Sequence, residues 1–174
     1  MTESDAGLTD MLVENVAMVD GMDRFLGSLS RPQMRKIGGI YRVTYILIFH
    51  PDGRLLIQQR THTKDQYPSR LDFAAGGVLM ADETYEDSAR RELFEELGSR
   101  AELTCHGRVY FEDRNVSPAN QNWGMIFSAV DEGPFHLQSE EVASVEFMDV
   151  EVALKLPPER VTPDTRAALI TFLL

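Results

Sequence analysis

Residues 77–98 read Gly77-Val-Leu-Met-Ala-Asp-Glu83-Thr-Tyr-Glu-Asp-Ser-Ala-Arg-Arg91-Glu92-Leu93-Phe-Glu95-Glu96-Leu-Gly98. The start and stop signals of a helix lie inside this stretch. Thr84 stands as an N-cap with Asp87 three residues on, a variant of the capping box. Glu86 and Asp87 suit the positive end of the helix dipole. Ala89, Leu93 and Leu97 recur at i, i+4 and i+8 as a core-facing stripe, and Gly98 sits at the C′ position. On such a helix Glu92, Glu95 and Glu96 occupy i, i+3 and i+4, so their carboxylates share one face. Each like-charged pair costs roughly 0.2–0.5 kcal/mol on a plain helix surface. A hard cation reverses that sign, and oxygen-rich sites suit Mg²⁺ and Mn²⁺. The spacing predicts a divalent-metal site built on a helix.

Working outward, residues 12–19 are apolar and β-rich, Asp20-Gly21 is a turn, and residues 24–29 are the expected hairpin partner. Ser30, followed by Arg31-Pro32, predicts a short helix ending near Gly38-Gly39. Residues 41–49 carry the strongest strand signal, and the His50-Pro-Asp-Gly53 turn returns the chain as a strand at 54–60. A polar loop at 61–70 and a short strand at 71–75 precede the Gly76-Gly77 turn. Beyond the helix, residues 108–111, 123–130 and 142–147 read as strands, with an irregular loop at 112–122. Residues 162–174 read as a closing helix capped by Thr162. Hairpins mixed with crossovers predict an α/β domain, a mixed sheet covered by helices. Residues 1–10 are expected to be a loose tail and 11–174 one domain.

Length and composition agree with this. With 174 residues, 43% hydrophobic and 26% charged, the chain has room for a substantial core. A net charge of −11 argues against a nucleic-acid polymer as partner, because no basic excess displaces counterions. A small phosphorylated ligand stays compatible where metal screens the charge. One cysteine, Cys105, excludes an internal disulfide framework, fits a reducing compartment, and is expected to be a small buried hydrophobe. The first ten residues lack the pattern of a signal peptide, and no apolar run reaches the length of a membrane span. The expectation is a cytoplasmic protein that does not engage membranes.

Gly77-x5-Glu83-x7-Arg91-Glu92-Leu93-x-Glu95-Glu96-x-Gly98 resembles the Nudix box, the signature of hydrolases that cleave a nucleoside diphosphate linked to another moiety. The family pattern continues with an aliphatic residue where this chain has Ser99, a departure that touches packing. The resemblance implies an α/β/α sandwich around a mixed sheet. It also implies that Glu92, Glu95 and Glu96 ligate Mg²⁺ or Mn²⁺, with the carbonyl of Gly76 or Gly77 as a further ligand. Glu83 and Arg91 would form a structural ion pair, or Glu83 would assist through water on the metal. A general base on a later loop, Glu140 or Glu141, is implied as well, and homodimers are frequent in the family.

Arg60, His62, Lys64 and Arg70 lie on or beside the loop before the box. Of these Arg60, Lys64 and Arg70 are the candidates for holding substrate phosphate. Tyr67, Phe111 and Trp123 could stack on a base, but strand aromatics are more often core. The histidines have no ligand spacing. An isomerase of the isopentenyl-diphosphate type is the alternative enzyme, since residues 58–64 also resemble that branch. Those enzymes carry a catalytic cysteine ahead of a degenerate box, whereas this chain has Ala74-Ala75 there and an intact box. A non-catalytic nucleotide-binding module on the same fold is the third reading, and RNA decapping fits the acidic balance poorly.

Overall fold

The computed structural model describes residues 14–174, so the expected tail at 1–10 and the first residues of the strand at 12–19 lie outside the described residues. The sheet is organised on β3 (Ile40–Phe49), the strand with the strongest sequence signal. Before it, β1 (Asn15–Val19) and β2 (Phe25–Ser30) form an antiparallel hairpin from Asn15↔Ser30 to Val19↔Phe25. Its turn is held by the Asp20 carboxylate, which accepts from the amides of Met22 and Arg24 at 2.8 and 3.0 Å. Helix α1 (Arg31–Ile37) starts on a complete Ser30–Gln33 capping box.

β3 runs parallel to β7 (Asn120–Val130) along its whole length, from Ile40↔Gln121 to Phe49↔Val130. β7 in turn pairs antiparallel with β6 (Thr104–Asp113). On the other side β3 meets β4 (Leu55–Arg60) only at Phe49↔Leu55, beside the turn. The two strands then diverge, and the segment before the predicted helix fills the gap. The Ile46 and Ala75 amides and carbonyls bond each other at 2.8 and 3.0 Å, and the Thr44 amide donates to the Gly77 carbonyl at 2.9 Å. β4 is completed by β5 (Leu71–Asp72) and β8 (Val142–Met148), both antiparallel.

Side-chain alternation along β3 divides the core in two. Leu47 packs with Leu55, Phe73, Ala168 and Leu169 on one face. Ile46 and Ile48 pack with Leu56, Phe127, Ala89, Leu93 and Leu97 on the other. The second face is covered by α2 (Tyr85–Leu97), whose predicted stripe is buried. The first is covered by α3 (Val150–Leu154) and, after a 3₁₀ turn at Pro158–Arg160, by α4 (Pro163–Leu173). This is the expected mixed sheet between helices. Leu93 is 1% exposed, so Leu93→Ala is expected to cost about 2–5 kcal/mol, read as a lower urea midpoint.

Several local expectations are corrected. The strand at 71–75 stops at Asp72, because Phe73 onward leaves β4 to join β3. β6 and β7 lengthen one another, which reduces the expected loop at 112–122 to residues 114–119. Cys105 is exposed, since among the described strands β6 pairs only with β7 and a bulge lies between Cys105 and Gly107. Trp123 and Phe111 are half-buried rather than core, with Trp123 tilted against Tyr110 and under Arg108. The five-residue α3 carries too short a pattern to be read from sequence. No helix among the described residues is long and apolar enough to cross a membrane.

Candidate active site

Two glycines let the chain pass between β3 and α2. Gly76 has φ +132°, and a Cβ there would lie 2.0 Å from the Thr44 carbonyl oxygen. A Cβ on Gly77 would lie 2.6 Å from Glu92 Oε1. The segment is thus pinned to the sheet on one side and touches the acidic face of α2 on the other. Helix α2 is fixed at both ends. The Asp87 amide donates to Thr84 Oγ1 at 3.1 Å, and Gly98 closes the helix at φ +67° with its amide on the Phe94 carbonyl.

Glu92, Glu95 and Glu96 all line a cavity of about 350 Å³ on this side of the sheet. Arg91 organises the first two, its Nη1 donating to Glu92 at 2.9 Å and to Glu95 at 3.1 Å. The other edge of the Arg91 guanidinium grips Glu83 at 2.5 and 3.0 Å, and Glu83 also accepts the Met80 amide at 2.9 Å. Burial works against the Glu83 charge, but Arg91 and the Met80 amide hold its carboxyl below the usual range. Glu83 does not line the cavity, and its carboxylate is paired with Arg91. Glu83→Gln is expected to lower Tm and to reduce turnover roughly 10–100-fold, because the orientation of Glu92 and Glu95 passes through Arg91. Steady-state kinetics beside a thermal melt would read both effects.

Glu96 lies deeper. It accepts from the Gly76 amide at 3.2 Å and from Gln58 Nε2 at 3.3 Å. Burial, and next the Glu92 charge, push its carboxyl up to about 8. Burial also raises Glu92, against the pull of Arg91. Among the described residues no three ligating side chains converge on one point, and Glu92 and Glu95 are both paired with Arg91. The donor set is nonetheless all hard oxygen, and a buried carboxylate with raised proton affinity is the kind of group a cation stabilises. These residues fit Mg²⁺ or Mn²⁺. The Gly77 carbonyl is taken by the Thr44 amide, whereas the Gly76 carbonyl accepts no hydrogen bond among the described residues.

The facing wall is the loop at 61–70 with the segment before β8. Lys64 lines the cavity and pairs with Glu141. Burial, then the charge of Arg60, lowers the Lys64 ammonium from its ordinary value. Glu140 lines the cavity too, and its carbonyl accepts from Thr61 Oγ1 at 2.9 Å. Arg60 borders the cavity but spends its guanidinium on Asp72 at 2.9 Å and on the carbonyls of Gln66 and Tyr67, which bind the loop to the sheet. Arg70 is not among the residues that line the cavity; it lies over the ring of Tyr67, which does, and reaches the Val161 carbonyl.

Sequence reasoning missed the floor. Asp72, Asp164, Tyr41, Tyr45 and Asn120 meet there from β5, α4, β3 and β7, with Arg31 and Arg35 of α1 at the side. Tyr41 donates to Asn120 at 2.5 Å and Tyr45 to Asn122 at 2.9 Å. Burial, then Asp72, raises the Asp164 carboxyl to about 6. One signal was available: Thr162 was legible as a cap, yet its hydroxyl turns to Asp72 at 2.6 Å, so the helix start was a pointer to the site.

Comparison with known proteins now bears on this geometry. A Nudix-domain family model matches residues 40–169, a span that contains all of 77–98. An uncharacterized Nudix hydrolase of Pseudomonas aeruginosa is 48% identical over 143 residues, 82% of each chain. A prenyl-diphosphate phosphatase of Methanosarcina mazei is 28% identical over 162 residues, 89% of this chain and 92% of that one. A crystal structure from Deinococcus radiodurans superposes with a TM-score of 0.76 at 21% identity, over 91% of this chain and 98% of that one. With a family model spanning most of the chain and a relative near half identity, the protein belongs to the Nudix hydrolase family.

Proposed function

We propose that the chain is a Mg²⁺- or Mn²⁺-dependent hydrolase that cleaves the phosphoanhydride bond of a nucleoside diphosphate-linked or related small molecule with water. The observation that carries this reading is one cavity with Glu92, Glu95 and Glu96 on one wall and Lys64 with Glu141 on the facing wall. The M. mazei relative, a phosphatase of prenyl diphosphates by its name, supports diphosphate chemistry on this fold.

In this reading Glu92, Glu95 and Glu96 hold the ion, with the Gly76 carbonyl as a further donor. When bound, it neutralises charge on the phosphoryl oxygens and acidifies the attacking water. The chain's own groups do the rest. Arg91 keeps Glu92 and Glu95 in place, while the Gly76 amide and Gln58 fix Glu96. Lys64 exchanges Glu141 for a phosphate oxygen, which leaves the Glu141 carboxylate free to accept a proton from water. Glu140 stands beside it as the second candidate base. Arg31 and Arg35 supply positive charge on the α1 side of the cavity. An isomerase reading gains nothing here, since Ala74 and Ala75 line the cavity and Cys105 does not.

The test is phosphate or nucleotide release from a panel of nucleoside diphosphate compounds and other small diphosphates, with Mg²⁺, Mn²⁺ or chelator. Wild type is compared with Glu96→Gln. Metal-dependent release that the substitution removes is expected. Release from no compound, or release indifferent to the substitution, overturns the reading.

A further inference from the structure

The sheet ends in an edge whose side chains are already arranged for a partner. β6 pairs with β7 along its length, and among the described residues its backbone bonds no other element. A free edge is a template for another strand, and lysine, proline or a bulge is the usual guard. Here the bulge lies before Gly107, and residues 108–113 (Arg-Val-Tyr-Phe-Glu-Asp) contain neither lysine nor proline. Arg108, Tyr110 and Glu112 share one face of the strand, with Val109 and Phe111 on the other. The first three are held in place by neighbours within the chain. Arg108 lies over Trp123 at 5.4 Å and gives Nη1 to Asp23 at 2.7 Å. Tyr110 is tilted against Trp123 with ring centroids 5.3 Å apart, and Gln121 Nε2 donates to Glu112 at 2.9 Å. The Arg108 side chain is nonetheless 47% exposed and Tyr110 39%.

We infer that β6 is the interface of a two-fold homodimer, in which the β6 strands of two copies pair antiparallel about Tyr110 and join both sheets into one. Residues directly opposite in an antiparallel pair share a face. Centring on Tyr110 therefore places Arg108 against Glu112 of the second copy, and Glu112 against its Arg108. Glu112 exchanges the exposed Arg114 of its own chain for that contact. On the other face Val109 meets Phe111 of the second copy on both sides of the axis, so each face is self-complementary. Neighbouring registers lose the match. Centring on Arg108 or Glu112 sets like charges together at the axis, and centring on Phe111 sets Arg108 against Arg114. Centring on Val109 leaves Phe111 opposite Gly107, which has no side chain to meet it. β2 is an edge as well, but Phe25–Ser30 carries no charge to fix a register. Charged residues on an edge ordinarily repel another strand; the order of Arg108 and Glu112 about Tyr110 instead makes a second copy the complementary one. Because these side chains are already ordered, little rotamer freedom is lost on pairing. The pairing stands independently of the hydrolase reading.

The test is sedimentation equilibrium of the full chain over a dilution series, for wild type, Arg108→Glu, Glu112→Arg and the double variant. A wild-type mass near twice 19.7 kDa is expected at the higher concentrations. Each single reversal sets like charges together on both sides of the axis and should weaken dimerisation about 100-fold or more. The double variant exchanges the signs, restores both pairs and should dimerise again. Mixing the two single variants should give a heterodimer, since their charges complement one another. In Arg108→Glu the Asp23 carboxylate keeps Arg42 and Tyr85; should that variant fail to fold, Tyr110→Lys, which sets like charges on the axis, reads the same loss. Hydrogen exchange locates the contact: alternate amides within 108–113 should be protected in wild type and lose that protection in Glu112→Arg. A wild type that stays monomeric at every concentration overturns the inference. So does a dimer indifferent to both Glu112→Arg and Tyr110→Lys, or one that leaves the amides of 108–113 unprotected.

Discussion

Glu96→Gln is expected to lower kcat/KM by at least about 10²–10³-fold, the scale seen when one preorganised charge-stabilising group is removed. The substitution keeps the shape of the side chain, and its amide oxygen can still accept from the Gly76 amide, so the fold should persist. Stability provides a second readout. The folded carboxyl holds its proton up to about pH 8, against an ordinary value of 4.5, chiefly because it is buried. The folded state therefore binds this proton more tightly than the unfolded chain. Its contribution is fully present below about pH 4.5 and is lost as pH rises toward 8. In chelator, wild-type Tm should decline across that window, and a loss of even 2 kcal/mol corresponds to roughly 4–8 °C in a chain of this size. Glu96→Gln should flatten the decline, and Mn²⁺ should raise Tm in wild type far more than in the variant. Scanning calorimetry at pH 5, 6.5 and 8 (round values spanning the window) checks both statements; a variant with the wild-type slope and the wild-type response to Mn²⁺ would remove Glu96 from the metal site.

Gly76→Ala is expected to do the most damage to the fold. The added methyl would sit 2.0 Å from the Thr44 carbonyl oxygen, which is strand backbone and cannot swing aside. The residue also holds φ +132°, a region alanine rarely adopts. The segment must leave β3, breaking the Ala75–Ile46 pair and the Thr44–Gly77 bond that hold it there. The combined strain and lost pairing should exceed about 3 kcal/mol. Because the same segment presents the Gly76 amide to Glu96, turnover should vanish in whatever protein remains soluble. Gly21→Ala is the control: nothing lies within 4 Å of its Cβ, so its urea midpoint should stay near wild type. Equal midpoints for the two variants would contradict the packing described here.

The contrast between Arg60 and Arg70 shows where sequence reading stops. Both stand at the ends of one polar loop, and spacing makes them equal candidates for phosphate. Only the folded loop separates them, directing Arg60 to Asp72 beside the cavity and Arg70, which does not line it, onto the Tyr67 ring. Cys105 makes the same point about burial. A lone cysteine is usually buried, but among the described strands β6 has no second partner, and this one is exposed. Asp164 is the extreme case, since in sequence it is just an acid near the start of a helix. Its place in the cavity needs contact with Tyr45, 119 residues away along the chain.

Helix α2 could be read from residue order: its Thr84 cap, its Gly98 stop, its buried stripe and its acidic face. Each of these rests on interactions within one or two helical turns, so residue type and spacing suffice. The Glu83–Arg91 contact was expected only from the resemblance to the Nudix box, and the two side chains do meet. The tertiary structure alone decided what faces that acidic helix. Lys64, Glu141, Asp72 and Asp164 meet across the sheet because β3 and β4 diverge and the Gly76 segment fills the gap between them. Contacts of that kind depend on strand order and register, which side-chain periodicity along one strand does not encode.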